Sequence, residues 1–357
     1  MYIFAKAFIT PQQNLLLETD ELIFQTDNSI QKVKLIAWAK DVNILNGLTI
    51  HSDTTLSNNK AFLLKKDFIV NENATLNLSP GTELYFQRNT SLIINGGINA
   101  QGTKDSMIII KSSRIEDDYY NIPSQWNGLQ INNNKTNILN NVHISQAIQA
   151  LRLGDVLLQN SGPNVSISNC IFSFSSYAAI EAYNAKINAS NLIVYNSYLS
   201  NYGVIIKGGG TYSFKHATIY CDQPHSVPLI SFSNEGYSGK HNALDLIIAN
   251  SVIYGPERTE YEVGSLNLGS PSTYKIINSA IKTIENTSDT SIYKEIVKIE
   301  SALIFSNPSK FKFEPDSLSK LVDNGDITIA TSIPYDLNNN NRLNDGFPDI
   351  GAIERNP

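Results

Sequence analysis

The sequence predicts an all-β chain whose central part, residues 46–305, is a right-handed parallel β-helix, a solenoid of short strands stacked coil upon coil. Three observations predict it: a recurring asparagine frame, spacings that match the length of one coil, and a composition suited to strands and polar turns. Hydrophobic residues make up 41% and charged residues 17% of the 357 residues, with 17 Tyr and 14 Phe. Aromatic residues favour strands, and the frequent Asn and Ser favour the turns between them.

An Asn-x-x-apolar frame recurs along the chain, and successive frames start 28, 22, 25, 34 and 28 residues apart. One coil of a β-helix takes about twenty or more residues, and a longer coil carries its surplus as a loop, so every spacing fits. Parallel crossovers are strongly biased to be right-handed. The shared frame also predicts that its turn residues stack as a ladder. The frames start at Asn141, Asn169, Asn191, His216, Asn250 and Asn278.

The stretch before the frames already alternates apolar runs with turns rich in Gly, Pro and Asn, which is the pattern of short strands. The apolar runs are 75–78, 83–86, 92–94 and 107–110. The alternative all-β fold, a β-sandwich, would join its strands by Asn-Gly or Asp-Gly hairpins. Such pairs occur at 46–47, 95–96, 324–325 and 345–346 and do not recur with the frame. This favours the solenoid.

The two flanks of the solenoid carry different patterns. In residues 1–45, Leu35 and Trp38 are apolar and need cover, so we expect this segment to pack on the first coils. The apolar start of the chain is short for a signal peptide and is better explained as a strand. A strand that opens a chain so abruptly leads us to expect further residues before Met1. Residues 306–357 predict a C-terminal capping segment.

Several segments together resemble a known family. They are residues 23–26, 33–38, 73–86, 92–96, 100–105 and 122–126, and the tail segments 336–342 and 348–354, the last of which reads Pro-Asp-Ile-Gly-Ala-Ile-Glu. They are similar to the right-handed parallel β-helix repeat proteins of Bacteroidetes cell surfaces, lipoprotein-type chains that end in a PDIGAxE-like segment. The resemblance implies a pectate-lyase-like solenoid and an extracytoplasmic location, at the cell surface or secreted. It also implies that residues 1–45 are the C-terminal part of a small β-sandwich domain that precedes the solenoid. It implies no particular activity, because one fold hosts many functions.

Charge and cysteine content narrow the possible partners. The net charge is −6 and the pI about 5.4, without a Lys/Arg cluster, which argues against nucleic acid and anionic membranes as partners. No run has the length of a transmembrane helix. The two cysteines, Cys170 and Cys221, occupy different points on coils two steps apart, so we expect both to be free thiols. We expect a monomer.

One acidic and aromatic loop is the candidate ligand site. It contains Glu116, Asp117, Asp118, Tyr119 and Tyr120, and Trp126 follows shortly after. Exposed aromatic rings stack on sugar rings, and carboxylates accept hydrogen bonds from hydroxyl groups. The alternative is a solvated acidic loop followed by a tryptophan that packs at the start of a strand.

A second candidate is a calcium loop near the C-terminus. Asp336, Asn338 and Asn340 place oxygen ligands at alternating positions, and Asp345 would complete the set. The alternative is an Asn-rich turn that closes the solenoid. No other cofactor is expected, because no two of the five histidines have the spacing of metal ligands.

These patterns favour a non-catalytic extracytoplasmic protein that binds a glycan or a partner protein. The alternative is a carbohydrate-active enzyme, a polysaccharide lyase or glycoside hydrolase, with an atypical site. The Gly-His-Gly and Arg-x-Lys elements of polygalacturonase-like enzymes do not occur. Two carboxylates, or a carboxylate with Arg or Lys, within about 10 Å on one face would favour the enzyme. A groove lined only by Asn, Ser and aromatic residues would favour binding.

Overall fold

The fold is described from a computed structural model of the chain. The described residues are 16–155, 162–195, 202–222, 227–236, 239, 241–255, 261–263, 271–299 and 305–355. Within them the chain is almost entirely β-structure, with one α-helix near the C-terminus and two short 3-10 helices, Asp117–Tyr119 and Pro308–Lys310.

An antiparallel hairpin precedes the solenoid. Its strands are β1 (Leu16–Thr26) and β2 (Ser29–Ala39), which form a two-stranded sheet of their own. Two residues join them, as in a tight hairpin. Leu35 and Trp38 are partly buried, whereas apolar side chains on both faces of the hairpin are exposed. Residues 16–39 of the predicted sandwich segment are therefore a hairpin, and residues 1–15 lie outside the described residues.

The solenoid begins at Val42, four residues before the predicted boundary, and its last described strand ends at Lys298. Its strands are β3 (Val42–Leu45), β4 (Leu48–Ile50), β5 (Thr54–Leu56), β6 (Ala61–Leu64), β7 (Phe68–Val70), β8 (Thr75–Leu78), β9 (Glu83–Phe86), β10 (Ser91–Ile94), β11 (Gly97–Gln101), β12 (Ile108–Ser112), β13 (Gly128–Ile131), β14 (Thr136–Asn140), β15 (Val142–Ser145), β16 (Gln149–Leu153), β17 (Asn164–Ser173), β18 (Ala178–Tyr195), β19 (Tyr202–Lys215), β20 (Thr218–Tyr220), β21 (Ile230–Phe232), β22 (Leu244–Ala249), β23 (Val252–Tyr254), β24 (Tyr261–Val263), β25 (Ser272–Ile277), β26 (Ala280–Ile281), β27 (Tyr293–Lys294) and β28 (Val297–Lys298).

These strands stack in parallel as three walls, because each strand pairs with its counterpart one coil further on. The first wall contains β3, β6, β9, β12, β15, the ends of β17 and β18, then β20, β23, β26 and β28. The second contains β4, β7, β10, β13, β16, the starts of β18 and β19, then β21 and β24. The third contains β5, β8, β11, β14, the start of β17, the middle of β18, the end of β19, then β22, β25 and β27. The prediction of a parallel all-β solenoid is confirmed, and a sandwich of hairpins is excluded for this part of the chain.

The core is a set of apolar columns inside the three walls. Alternate residues of each strand point inward, as the two-residue period of a strand requires. One column of the second wall runs through Leu92, Leu129, Leu151, Ile180 and Val204, all fully buried. Each such side chain contacts its equivalents on the neighbouring coils, so short strands together bury one continuous core.

The predicted ladder is confirmed. The frame residues lie at one corner of the coil, where register pairs each with the next, and all have a left-handed backbone with φ between 42° and 53°. Asparagine tolerates this conformation better than most residues. The Asn191 side chain donates to Asn169 Oδ1 at 2.8 Å. Asn250 Nδ2 lies 3.1 Å from His216 Nε2, so the histidine takes the same hydrogen-bonding role.

The C-terminal segment covers the outer face of the first wall. It contains β29 (Phe305–Asn307), β30 (Lys312–Pro315) and α1 (Ile327–Ser332), with Asp326 as the N-cap of α1. Phe305 and Phe313 pack with the first-wall rings of Tyr195 and Tyr220. The segment predicted as a cap thus lies along the side of the solenoid.

The same segment is anchored to the ladder. Arg342 is fully buried, pairs with Glu354 at 3.2 Å and donates to Asn191 Oδ1 at 2.9 Å. Asn250 accepts from the backbone N–H groups of Asp326 and Gly351. Ladder and C-terminal segment therefore stabilise each other.

Both cysteines are buried and neither forms a disulfide, as predicted. Cys170 points into the core and its Sγ lies 3.2 Å from the carbonyl oxygen of Ser168. Burial raises the pKa of the Cys170 thiol to about 12, so this side chain acts as a small apolar filler.

Candidate functional site

One cavity of the outer surface lies on the second wall, and we call it the tyrosine cleft. Its volume is about 430 Å³, within the usual range for small-ligand sites. Three tyrosines, two serines, Lys207 and Glu235 supply its polar groups. The lining residues are Tyr177, Tyr183, Tyr202, Ile205, Ile206, Lys207, Ser231, Ser233, Glu235 and Gly236.

Strand register brings the polar groups of the cleft together. Glu181 of β18 pairs with Ile205 of β19, and Tyr183 pairs with Lys207. These are outward positions, since their neighbours in each strand face the core. Lys207 ends this part of β19 because three glycines with positive φ, 208–210, turn the chain into the third wall. A Cβ atom at Gly209 would lie 2.5 Å from the Ala243 carbonyl oxygen, so this turn requires glycine.

Glu181 is the centre of a hydrogen-bonded cluster beside the cleft. It is only 3% exposed although it sits on the outer face of the sheet. Its carboxylate accepts from Tyr183 Oη at 2.7 Å, Lys207 Nζ at 3.1 Å and Tyr177 Oη at 3.5 Å, and also from Gln149 Nε2. A buried carboxylate needs this many donors, because burial without partners would be very unfavourable.

The cluster holds its protons tightly. Burial, and then the hydrogen bond to Glu181, raise the pKa of Tyr183 to about 12. Burial, the largest single cause, would lower the pKa of Lys207. The charge of Glu181, the nearby tyrosines and the hydrogen bond to Glu181 together outweigh burial, so the net shift is upward. Near neutral pH both groups are therefore hydrogen-bond donors.

A second cavity of about 260 Å³ continues along the same wall toward the N-terminus. Arg152 and Gln149 line it, and Arg152 is the register partner of Glu181 on the preceding coil. The Arg152 guanidinium lies 3.5 Å from Asp155 and 5.9 Å from the centre of the Tyr183 ring. Its Nε is buried without a hydrogen-bond partner. Cleft and cavity thus form one polar surface several coils long.

A third cavity, about 270 Å³ in volume, lies on the first wall, and we call it the lysine cavity. Lys40 pairs there with Glu83 and donates to Tyr85 Oη at 3.1 Å. Burial raises the pKa of Tyr85 well above its usual value, and its hydroxyl donates to Glu83. The remaining lining residues are Ile109, Lys111, Ile115, Tyr120, His143, Ser145 and Gln146.

Two titratable groups of the lysine cavity are shifted toward their neutral forms. Burial, with the nearby charge of Lys111, lowers the pKa of His143 to about 4, and its Nε2 lies 2.9 Å from Ser173 Oγ. Burial lowers the pKa of Lys111, although Glu83 opposes this shift.

The predicted acidic loop borders the lysine cavity through Tyr120. Asp117 and Asp118 are exposed, and Tyr120 packs edge-to-face on Phe174 and Phe311 at 5.9 and 6.2 Å between ring centres. The loop is held to the first wall by Gln146, whose Nε2 donates to the Tyr119 carbonyl oxygen at 2.7 Å.

The other loop candidates already have partners. The Arg114 guanidinium lies 3.5 Å from the centre of the Tyr119 ring and its Nε donates to Glu116 at 3.1 Å. Partial burial, the largest single cause, would raise the pKa of Glu116, but the hydrogen bond and charge of Arg114 together with backbone hydrogen bonds give a net lowering. Trp126 is fully buried, stacks on Phe86 at 4.6 Å and donates to the Ser145 carbonyl oxygen at 2.8 Å. Its indole therefore packs in the core and is not exposed to a ligand.

Of the four calcium candidates, the structure brings Asp336 and Asn340 into contact. Asp336 accepts from the backbone N–H of Asn340 at 2.7 Å and from that of Glu354 at 2.8 Å. The Asn338 carbonyl oxygen accepts from Lys104, and Asp345 lies on the surface. The described ranges contain no group of three or more His, Cys, Asp or Glu residues that could hold a metal ion.

Sequence reasoning missed Glu181, Lys207 and Lys111. Each is a charged residue inside an apolar run, at an outward position of a strand. A charged residue in an apolar run can be recognised in the sequence, but the sequence does not show which outward positions share a cavity.

Comparisons with protein-family models, curated proteins and solved structures find no match. Among the described residues, no helix has the length and apolar character needed to cross a membrane.

Proposed function

We propose that the chain is an extracytoplasmic protein, at the cell surface or secreted, that binds a glycan in the tyrosine cleft. We also propose that the solenoid is a right-handed parallel β-helix of the pectate-lyase-like type. The parallel stacking of three walls supports the fold type, because parallel crossovers are almost always right-handed. The resemblance of the segments quoted above to Bacteroidetes surface proteins supports the location.

The observation that carries the binding proposal is the set of three tyrosines around the Lys207–Glu181 ion pair. Tyr177 is 38% exposed, so its ring can contact a ligand. Lys207 and Glu181 neutralise each other and Glu235 adds a carboxylate, so the cleft suits an uncharged glycan better than an acidic one. The tyrosine hydroxyls and the lysine ammonium offer hydrogen bonds to sugar hydroxyls, and the rings offer apolar faces.

A carbohydrate-active enzyme is the second candidate, because one specific observation favours it. Glu181 and Lys207 lie 3.1 Å apart beside one cleft, which meets the criterion of a carboxylate and a lysine on one face. General acid–base catalysis works best with a pKa near the operating pH. Tyr183 and Lys207 have raised pKa values and Glu181 is buried behind them. Binding therefore remains the better-supported function.

The test is a glycan array with the purified chain, followed by calorimetric titration of each hit and mass analysis of the glycan afterwards. Tyr177→Ala should weaken binding about 2- to 10-fold, the value of one aromatic contact. Tyr335→Ala is the matched control, since Tyr335 is exposed in the C-terminal segment, away from the cleft. Equal affinity of Tyr177→Ala and Tyr335→Ala for the glycan would contradict binding in the tyrosine cleft. Shortened or unsaturated products would instead establish the enzyme.

A further inference from the structure

The lysine cavity contains two polar groups that the protein itself does not satisfy. No acceptor among the described residues forms a hydrogen bond or ion pair with Lys111 Nζ, which lies 5.6 Å from the centre of the Tyr85 ring. Gln146 is 1% exposed, and its Oε1 is buried without a hydrogen-bond partner. A buried, unpartnered acceptor is unfavourable, so both groups call for a ligand that carries an acceptor and a donor.

The charges of the cavity specify the acceptor. Lys40 and Glu83 form an ion pair and offset each other. His143 is neutral at physiological pH and Tyr85 keeps its proton. Lys111 therefore leaves one uncompensated positive charge, which matches a monoanion. The volume of about 270 Å³ is below that of most drug-sized sites and suits a ligand the size of one sugar.

We propose that the lysine cavity is a second binding site, separate from the tyrosine cleft, that takes a small polyhydroxylated monocarboxylate. The carboxylate accepts from Lys111 Nζ, and a ligand hydroxyl donates to Gln146 Oε1. Tyr120 lies at the border of the site, so the acidic loop is held next to the ligand through Gln146. This assignment does not depend on glycan binding at the second wall.

Calorimetric titration of the full chain with sodium gluconate and with sorbitol tests the proposal, because the two differ only in the carboxylate. Glucuronate and glucose form the equivalent pair for a closed ring and show which form the cavity prefers. We expect saturable binding of at least one acid and none of its neutral partner. Inorganic phosphate should bind more weakly, because its second charge has no partner; tighter binding of phosphate would overturn the carboxylate assignment.

Lys111→Met should reduce affinity for the acid at least tenfold, the value of a charged hydrogen bond. Lys186→Met is the matched control, because Lys186 is an exposed lysine of the third wall. Lys186→Met and Tyr177→Ala should both leave the affinity for the acid unchanged. Equal affinity of Lys111→Met and the parent chain would overturn the proposal. Acylation of lysines followed by mass mapping tests the site without a variant. Gluconate should slow labelling of Lys111 and not of Lys186. Equal labelling rates of Lys111 with and without gluconate would refute the site.

Discussion

Asn191 is the residue at which the ladder and the C-terminal segment meet, so its replacement by alanine should be strongly destabilising. Its side chain makes three described hydrogen bonds: to Asn169 Oδ1 at 2.8 Å, to the Tyr335 carbonyl oxygen at 2.9 Å, and from Arg342 Nη2 at 2.9 Å. Each neutral bond contributes about 1 kcal/mol and the bond from a charged group about 2. Residue 191 has a left-handed backbone, with φ at 50°, and holding alanine in this conformation costs about a further 1 kcal/mol of stability. We expect a loss of about 5 kcal/mol.

Asn89→Ala separates the two contributions. Asn89 has the same left-handed backbone, with φ at 62°, and lies on the exposed surface. No described hydrogen bond uses its side chain, so its replacement should cost only the backbone part, about 1 kcal/mol. The free energy of unfolding of both variants is measured by urea titration. Equal losses for Asn191→Ala and Asn89→Ala would refute the claim that ladder hydrogen bonds stabilise the chain.

Three further predictions follow from the buried titratable groups. Glu181→Gln should lower the pKa of Tyr183 from about 12, because it removes the carboxylate charge; ultraviolet titration of the phenol, with Tyr183→Phe to identify the signal, measures this, and an unchanged titration would contradict the cluster. The pKa of His143 is about 4 in the folded chain and about 6.5 in the unfolded chain. Burial of this imidazole therefore does not reduce the free energy of unfolding above about pH 6.5, and the free energy of unfolding falls as the pH drops toward 4, by at most about 3 kcal/mol. His143→Gln should reduce this acid sensitivity of the unfolding free energy, and identical pH profiles would show that the imidazole is not buried. Thiol titration should return two groups, Cys170 and Cys221, in the denatured unreduced chain and almost none in the native chain; zero in denaturant would mean a disulfide.

The sequence predicted the solenoid because the corner of each coil imposes a local requirement. Asn141 and Asn278 both need a left-handed backbone, and few residues other than glycine adopt it easily. The requirement recurs once per coil, so it is visible as a spaced frame. His216 fits the frame for the same reason, since its ring replaces the asparagine amide as a partner of Asn250.

The candidate sites could not be predicted in the same way, because they are formed by stacking. Glu181 and Lys207 are 26 residues apart and meet only through the register of β18 and β19. The position of the C-terminal segment depends on contacts such as Asn250 with Asp326, 76 residues apart. The acidic loop was recognised from composition, which does not show that Trp126 turns inward while Tyr120 turns outward.

The position of the C-terminal segment has a consequence for the order of folding. In a simple solenoid each coil contacts only its neighbours, so local unfolding at one point need not spread. Here one late stretch of chain contacts Asn191, His216 and Asn250 on successive coils, and Asn338 reaches Lys104 much earlier in the chain. During synthesis those coils must already be assembled before their last-made partner arrives. Once it is in place, opening any one of them breaks contacts shared with the others, so the array is expected to unfold cooperatively over this span and to lose that cooperativity when residues 305–355 are removed.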